Sequence, residues 1–324
     1  MLGARDVREL LSPAECIEAV AEAMVEVSRG AAHLPLRNLM RLPNGRGALG
    51  IMPGAIAQPE RFGMKLISLF PGNAGTGRSS HMGLYTLYES QHGEPLAILE
   101  AGSITAIRTA AASAVATRAL ARRDARILGI LGNGEEAEAH VQAFAALRRF
   151  DEVWIWGRNP LKADALIRHL TQEGYSGLRR ADSVDEVCAK ADVICTVTSA
   201  SEPVLFGRQV RPGTHLCLVG SSTADYREVD DECVTRGRFF VDFRGSALAQ
   251  AGELLHAMAA GLVTAEHISA EIGEVLAGTH PGRGGADEIT IYKSLGVAAQ
   301  DLVAASLVHR KALAAGRGTK VSFD

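Results

Sequence analysis

Cysteine pairs at metal-binding or redox spacing are missing from this 324-residue chain. Its five cysteines, Cys16, Cys188, Cys195, Cys217 and Cys233, form no CxxC and no Cys/His spacing. No zinc site or thiol redox motif is therefore expected, and the metal complement is read as none. Cys195 and Cys217 sit in apolar, strand-like runs and read as small core residues. Blocks of like charge are missing too. With a net charge of −3, a pI near 6.4 and no long basic run, nucleic-acid binding is not expected. Charged residues interrupt every apolar stretch before it reaches bilayer length. Met1-Leu2-Gly3-Ala4-Arg5-Asp6 lacks the basic-then-apolar layout of a signal peptide. The expectation is a reduced, cytoplasmic protein with no membrane or nucleic-acid partner. What remains, 47% hydrophobic and 22% charged residues, suits a globular chain long enough for two domains.

The first helix is well marked. Ser12-Pro13-Ala14-Glu15 is a capping box with proline at the first helical position, and Ile17, Val20, Ala21, Met24 and Val27 make one apolar stripe ending at Gly30. Short strands follow at Ala48–Met52, Met64–Phe70, Leu84–Tyr88 and Pro95–Glu100, separated by Gly, Pro and Asn turns. An alanine-rich helix then runs from about Thr105 to Arg122, and Arg122-Arg123-Asp124 reads as a boundary. Beyond it strands and helices alternate. Strands read at Ile127–Leu131, Val153–Trp156, Val193–Thr198, His215–Val219 and Phe239–Asp242, with helices around 135–147, 161–173, 184–190 and 246–260. Such alternation predicts a parallel sheet covered by helices. A last helix from near Ser294 past Lys311 does not fit that series and is expected to return to the first domain. The fold class is thus α/β: a Rossmann domain (123–285) inserted in an α+β domain (1–122 plus 286–324). No internal repeat or low-complexity tract is evident.

The turn after the strand at 127–131 reads Gly132-Asn133-Gly134-Glu135-Glu136-Ala137 and opens a helix. Gly132 permits a sharp turn, Gly134 lets backbone approach a pyrophosphate, and Ala137 lets the helix pack close to the sheet. The helix N-terminus offers N–H groups to the phosphates. A lone GxGxxA is weak, but its place between two strand-like segments predicts NAD(P) binding. Glu135 and Glu136 suit the helix dipole and are expected to face away from the phosphates. The second strand ends in Gly157-Arg158-Asn159-Pro160, with no carboxylate for a ribose 2′-hydroxyl. An arginine there can pair with a 2′-phosphate and stack on adenine. NADP(H) is preferred on this reading, with NAD(H) as the alternative and a solvated surface arginine as the bland one.

Three cations lie where strand or helix patterns do not require them. Arg37 follows Leu34-Pro35-Leu36, Lys65 interrupts Met64-Lys65-Leu66-Ile67, and Arg108 lies within Ile104-Thr105-Ala106-Ile107-Arg108-Thr109-Ala110. A cation inside such a run costs several kcal/mol unless it is paired or solvated in a cleft. Strand alternation could put Lys65 on a solvent face, and Arg108 could snorkel. Beside a hydride-transfer cofactor, the three together suggest a receptor for a carboxylate.

The segments Lys65-Leu66-Ile67, Ser80-His81, Ile104 to Ala114, Gly220-Ser221-Ser222-Thr223-Ala224-Asp225-Tyr226-Arg227-Glu228 and Thr290-Ile291-Tyr292-Lys293-Ser294-Leu295-Gly296 resemble the ornithine cyclodeaminase/mu-crystallin family, in order and over nearly the whole chain. The resemblance implies a homodimer formed through the N-terminal domain, with NAD(P) on the Rossmann domain and the active site between the two. It puts Arg37, Lys65 and Arg108 on the substrate carboxylate and His81 in the same cleft, as a candidate proton donor. Thr109, Thr196-Val197-Thr198, Val219-Gly220-Ser221, Lys293-Ser294 and Gly296 are assigned to the cofactor with the glycine turn and Gly157-Arg158-Asn159.

One departure is informative. The cyclodeaminase branch carries an aspartate where this chain has Ser222. A carboxylate can hold a cationic amine and shuttle its proton, whereas a lone hydroxyl cannot act as a base. A protonated imine is already electrophilic, so a ketimine reductase need mainly orient it, and Ser222 could hydrogen-bond the imine nitrogen. Ser222 could equally just cap its loop. The leading expectation is reduction of Δ1-pyrroline-2-carboxylate or Δ1-piperideine-2-carboxylate. An acyclic imino-acid reductase or alanine-dehydrogenase-like enzyme, an ornithine cyclodeaminase, and an NADPH-dependent small-ligand-binding protein are the alternatives.

Overall fold

The structure, a computed structural model, describes residues 1–58, 60–73 and 76–322. It divides into two compact units, Met1–Arg108 with Val297–Asp324, and Thr109–Gly296.

The first unit begins with α1 (Ala4–Leu10) and α2 (Pro13–Ser28). Ser12 caps α2, its hydroxyl accepting from the Glu15 N–H at 3.4 Å. Six strands follow, β1 (Ala32–His33), β2 (Asn38–Arg41), β3 (Ala48–Ala57), β4 (Glu60–Leu69), β5 (His81–Glu89) and β6 (Pro95–Glu100). They form an antiparallel sheet ordered β1-β3-β4-β5-β6, with β2 also on β3. β3 runs well past the expected end at Met52, through Pro53. The reason lies on its outer edge, where β2 covers Ala48–Ile51 and β1 covers Ala55–Ile56. Pro53 falls in the gap between them, where no ladder hydrogen bond is required of it. Next comes α3 (Ala101–Leu120), whose residues from Thr109 onward belong to the second unit.

The second unit continues with β7 (Ile127–Leu131), α4 (Glu135–Leu147), β8 (Glu152–Trp156), α5 (Pro160–Gln172), β9 (Leu178–Arg180), α6 (Val184–Lys190), β10 (Val193–Thr196) and β11 (His215–Leu218). Then follow α7 (Asp231–Arg236), β12 (Arg238–Val241), α8 (Arg244–Gln250), α9 (Gly252–Ala259), β13 (Ile268–Glu271), α10 (Ile272–Leu276) and β14 (Thr290–Lys293). Its sheet is ordered β13-β12-β14-β11-β10-β7-β8-β9, and its neighbouring strands pair in parallel. Central strands β10, β11 and β14 are buried at every residue, as expected of a sheet covered on both faces. From β7 the chain builds outward through β8 and β9, then returns to place β10 on the other side of β7. That reversal is a topological switch point, where the carboxyl ends of the strands open a ligand crevice.

The division differs from the sequence-based boundaries. Arg122 is tied within the second unit by a 2.6 Å ion pair to Asp192, so its charged stretch marks a helix end rather than a linker. β14, unanticipated from the sequence, sits between β11 and β12, which extends this unit beyond residue 286. The chain then closes with α11 (Ala298–Ala315), which belongs to the first unit and packs on α2, β3 and β4.

The first unit's sheet is two-sided. Along β3 the burial alternates strictly from Ala48 to Ile56, and the inward set faces α11. The outward set leaves a bare apolar surface. Ile51, Leu66 and Leu84 are register neighbours across three strands. Beside them Met82 and Leu84 are nearly half exposed, and Phe62 stacks on Tyr88 with ring centres 5.1 Å apart. Among the described residues no helix is long and apolar enough to cross a membrane.

Candidate active site

In the second unit the glycine turn lies at the carboxyl end of β7, beside the switch point. Gly132 adopts φ +141°, and a Cβ there would lie 2.6 Å from the Val197 carbonyl oxygen, so only glycine fits. Gly134 is the N-cap of α4, without a side-chain cap, and a Cβ built on it would meet nothing within 4 Å. An uncapped helix start facing open space suits a pyrophosphate. Ala137 is fully buried against the sheet. Glu135 is exposed and Glu136 half-buried. Arg158 and Asn159 are exposed in the turn after β8. The Asn159 side chain caps α5, accepting from the Leu161 and Lys162 N–H groups at 3.0 and 3.3 Å. Asn133 donates to the Asn159 carbonyl at 2.9 Å, which ties the two turns together; Gly157 lies between them in the chain.

Apart from Thr109, which lies in α3, the other residues assigned to the cofactor fall at or just after the ends of β10, β11 and β14, and several turn inward. Thr196 and Lys293 are fully buried. The Thr196 hydroxyl donates to Glu228 at 2.7 Å, and the Lys293 ammonium donates to the Ser221 carbonyl at 2.7 Å and to Glu253 at 3.0 Å. Burial and internal bonds hold these two side chains inside the unit. Thr198 is half-buried and also donates to Glu228. Val197 and Val219 are buried, Gly220 is exposed, Ser221 is buried and Ser222 half-buried. Thr109 and Ser294 are buried. Gly296 donates its N–H to Asp242 at 2.7 Å.

The first unit gathers the cations. Alternation turns Lys65 inward, only 2% exposed, so the solvent-face alternative is corrected. Its ammonium donates to both oxygens of Asp301 at 3.0 Å and to Thr105 at 3.4 Å. Arg108 is 5% exposed and does not snorkel; its Nε donates to Asp301 at 3.0 Å and its Nη1 to Gln300 at 2.9 Å. Burial lowers the Lys65 pKa to about 8, with Asp301 opposing and the charges of Arg108 and Arg37 reinforcing that shift. Burial would raise the Asp301 carboxyl, but Arg108 and Lys65 overrule it and hold its pKa below the usual range. His81, at the start of β5, keeps a solvent-facing edge. Protein packed around the ring, and then the Lys65 charge, lower its pKa. Its Nδ1 lies 2.9 Å from the Ser80 hydroxyl. Electrostatic coupling thus links Arg37, Lys65, Arg108 and His81 within one unit.

Sequence reasoning missed Asp301 and Gln300. An acid and an amide inside the apolar run Val297-Ala298-Ala299-Gln300-Asp301-Leu302-Val303 were the available signal. Away from these sites, Glu138, His169 and Glu173 bring donor atoms within 4.8 Å of one another on the surface of α4 and the end of α5.

The chain matches the ornithine cyclodeaminase/mu-crystallin family over residues 1–316. It is 36% identical over 312 residues to the ketimine reductase mu-crystallin of Mus musculus, covering 95% of this chain and 96% of that protein. Its structure is similar to that of Thermococcus litoralis Δ1-pyrroline-2-carboxylate reductase in complex with NADH and L-proline, at a TM-score of 0.95, 35% identity and 99% coverage of both chains. It is also similar to an archaeal alanine dehydrogenase dimer with bound NAD, at a TM-score of 0.92, 30% identity, and coverage of 100% of this chain and 98% of that one. The protein belongs to the ornithine cyclodeaminase/mu-crystallin family.

Proposed function

We propose that this protein is an NAD(P)H-dependent reductase of a cyclic ketimine, Δ1-pyrroline-2-carboxylate or Δ1-piperideine-2-carboxylate, giving L-proline or L-pipecolate. One observation carries the reading. A chain similar end to end to a reductase solved with NADH and L-proline keeps two buried cations on a single carboxylate. Two positive charges against one negative leave a positive remainder, which an incoming carboxylate would neutralise.

The nicotinamide would supply the hydride to the C=N carbon. The rest falls to the chain's own groups. The glycine turn and the α4 N-terminus receive the pyrophosphate, and Arg158 receives a 2′-phosphate, which makes NADP(H) the preferred form. Arg108 has Nε and Nη1 engaged by Asp301 and Gln300, so Nη2 is the nitrogen left for the substrate carboxylate, with Lys65 and Arg37 adding charge. Ser222 offers the imine nitrogen one neutral hydrogen bond. His81, with its lowered pKa, is neutral near pH 7 and acts as a hydrogen-bonding group rather than as a store of protons. Similarity to the archaeal alanine dehydrogenase supports a second reading, reductive amination of a 2-oxo acid. We place the protein in the cytoplasm and infer a homodimer. The bare sheet face of β3, β4 and β5 is large and apolar, and such faces mark protein interfaces.

Five measurements test these statements. NAD(P)H oxidation should be rapid with pyrroline-2-carboxylate or piperideine-2-carboxylate and slow with pyruvate plus ammonia. L-Ornithine should release no ammonia; robust conversion to proline would overturn the reductase reading. Arg158→Ala should weaken NADPH about ten- to a hundredfold, roughly 1.5–3 kcal/mol, and NADH far less. Equal loss for both would remove Arg158 from the 2′-phosphate.

The Lys65 ammonium exists below its pKa of about 8 and is lost as pH rises through it. Inhibition by cyclopentanecarboxylate, an anion with no titrating nitrogen, should therefore weaken above that pH. The change should vanish in Lys65→Met, and a flat profile in the wild type would exclude Lys65 as an anchor. Leu84→Glu, on the bare face, should give monomers in light scattering; an unchanged mass would move the interface elsewhere.

A further inference from the structure

Beneath the carboxyl ends of β10, β11 and β14 lies a group of charges that no step above uses. Glu228, Glu253 and Lys293 are each fully buried. Glu228 accepts four hydrogen bonds: from the Thr196 hydroxyl, the Thr198 N–H and the Thr198 hydroxyl, all at 2.7 Å, and from the Gly220 N–H at 2.6 Å. Only an ionised carboxylate can accept four bonds and donate none. Lys293 holds the same loop from the other side. Its ammonium donates to the Ser221 carbonyl at 2.7 Å and lies 2.8 Å from Glu253, while Glu253 also accepts from the Glu228 N–H at 3.2 Å. Position 220 must be glycine for this to work. A Cβ there would stand 2.0 Å from the Thr198 carbonyl oxygen and 2.5 Å from the Glu228 carboxylate.

We propose that Glu228 and Lys293, with Glu253, are positioning residues that clamp the 196–198 and 220–221 backbone and so shape the nicotinamide end of the cofactor site. The inference rests on the cofactor-binding part of the function proposed above and not on the identity of the imine. Glu228 grips the Gly220 N–H and Lys293 the Ser221 carbonyl, so the loop is held at one backbone donor and one backbone acceptor just before Ser222. That explains why Thr196, Thr198 and Lys293 turn inward rather than toward a ligand.

The full set of four bonds needs Glu228 ionised, since a proton on it would either face a backbone N–H or turn a threonine hydroxyl from donor to acceptor. Burial raises its pKa, opposed by the Lys293 charge and by the bonds from Thr196 and Thr198. The charged and titratable groups around it are Lys293 from β14, Glu253 from α9 and the Cys195 thiol from β10. Without Lys293 nothing in that set offsets burial. Protonation of Glu228 would then set in at a higher pH than in the wild type, and the clamp would loosen as pH falls.

Equilibrium binding of NADH, followed by its fluorescence without substrate, tests this separately from turnover. Lys293→Met should bind NADH at least threefold more weakly than wild type at pH 9, through loss of the Ser221 contact, and lose at least a further tenfold by pH 6, a larger fall than wild type shows. Glu228→Gln, which sets an amide N–H against its former donors, should bind at least tenfold more weakly at every pH. Thr196→Val is isosteric and removes one bond of four, so it carries the test if a charge variant fails to fold; it should cost two- to fivefold. Wild-type, pH-flat affinity in the folded variants, with only a lowered melting temperature, would overturn the clamp. A wild type that binds NADH but reduces no imine would instead overturn the reductase reading alone.

Discussion

The first unit depends on one carboxylate. Lys65 from β4 and Arg108 from α3 both point into the core, where Asp301 of α11 is the counterion to both. Removing one partner of a buried ion pair costs roughly 3–5 kcal/mol, because the remaining charge is left without water or a counterion. Here the loss would be shared by two cations that also repel each other. The inward face of the sheet, the arginine helix and the terminal helix are therefore held in one arrangement by charge as well as by apolar packing. Sharing one anion between two cations leaves the cluster short of negative charge, which is what an anion receptor requires.

The second unit solves a related problem with the opposite balance. Two buried carboxylates, Glu228 and Glu253, surround one ammonium, that of Lys293. Their partners are mostly backbone groups at strand ends. The two units thus use buried charge differently. In the first the charges hold one another's side chains; in the second they also hold main chain at the ends of strands.

What could be read in advance follows the range of the interactions involved. The glycine turn was legible because Gly132 answers to a local backbone demand and Ala137 to close packing. The α2 start was legible because Ser12 and Glu15 complete their cap within four residues. β3 was cut short at Pro53, since its tolerance depends on a gap between two other strands. β14 passed unnoticed because four buried residues carry no alternation. The depth of Lys65 and Arg108 could not be decided without Asp301, 236 and 193 residues away in the chain. Glu228 belonged to a segment recognised by its resemblance, yet three of its four donors come from Thr196 and Thr198, 30 or more residues away in the chain.

The place of Asp301 in the chain also orders events during synthesis. At about 5–20 residues per second, its carboxylate is made roughly 10–50 seconds after Lys65. Until then the nascent first unit holds two inward-facing cations without a counterion, and its sheet lacks the helix that covers it. The second unit, by contrast, is complete at Gly296. The segment synthesised in the middle is therefore the first able to finish folding, and the half begun earliest must wait for the last helix.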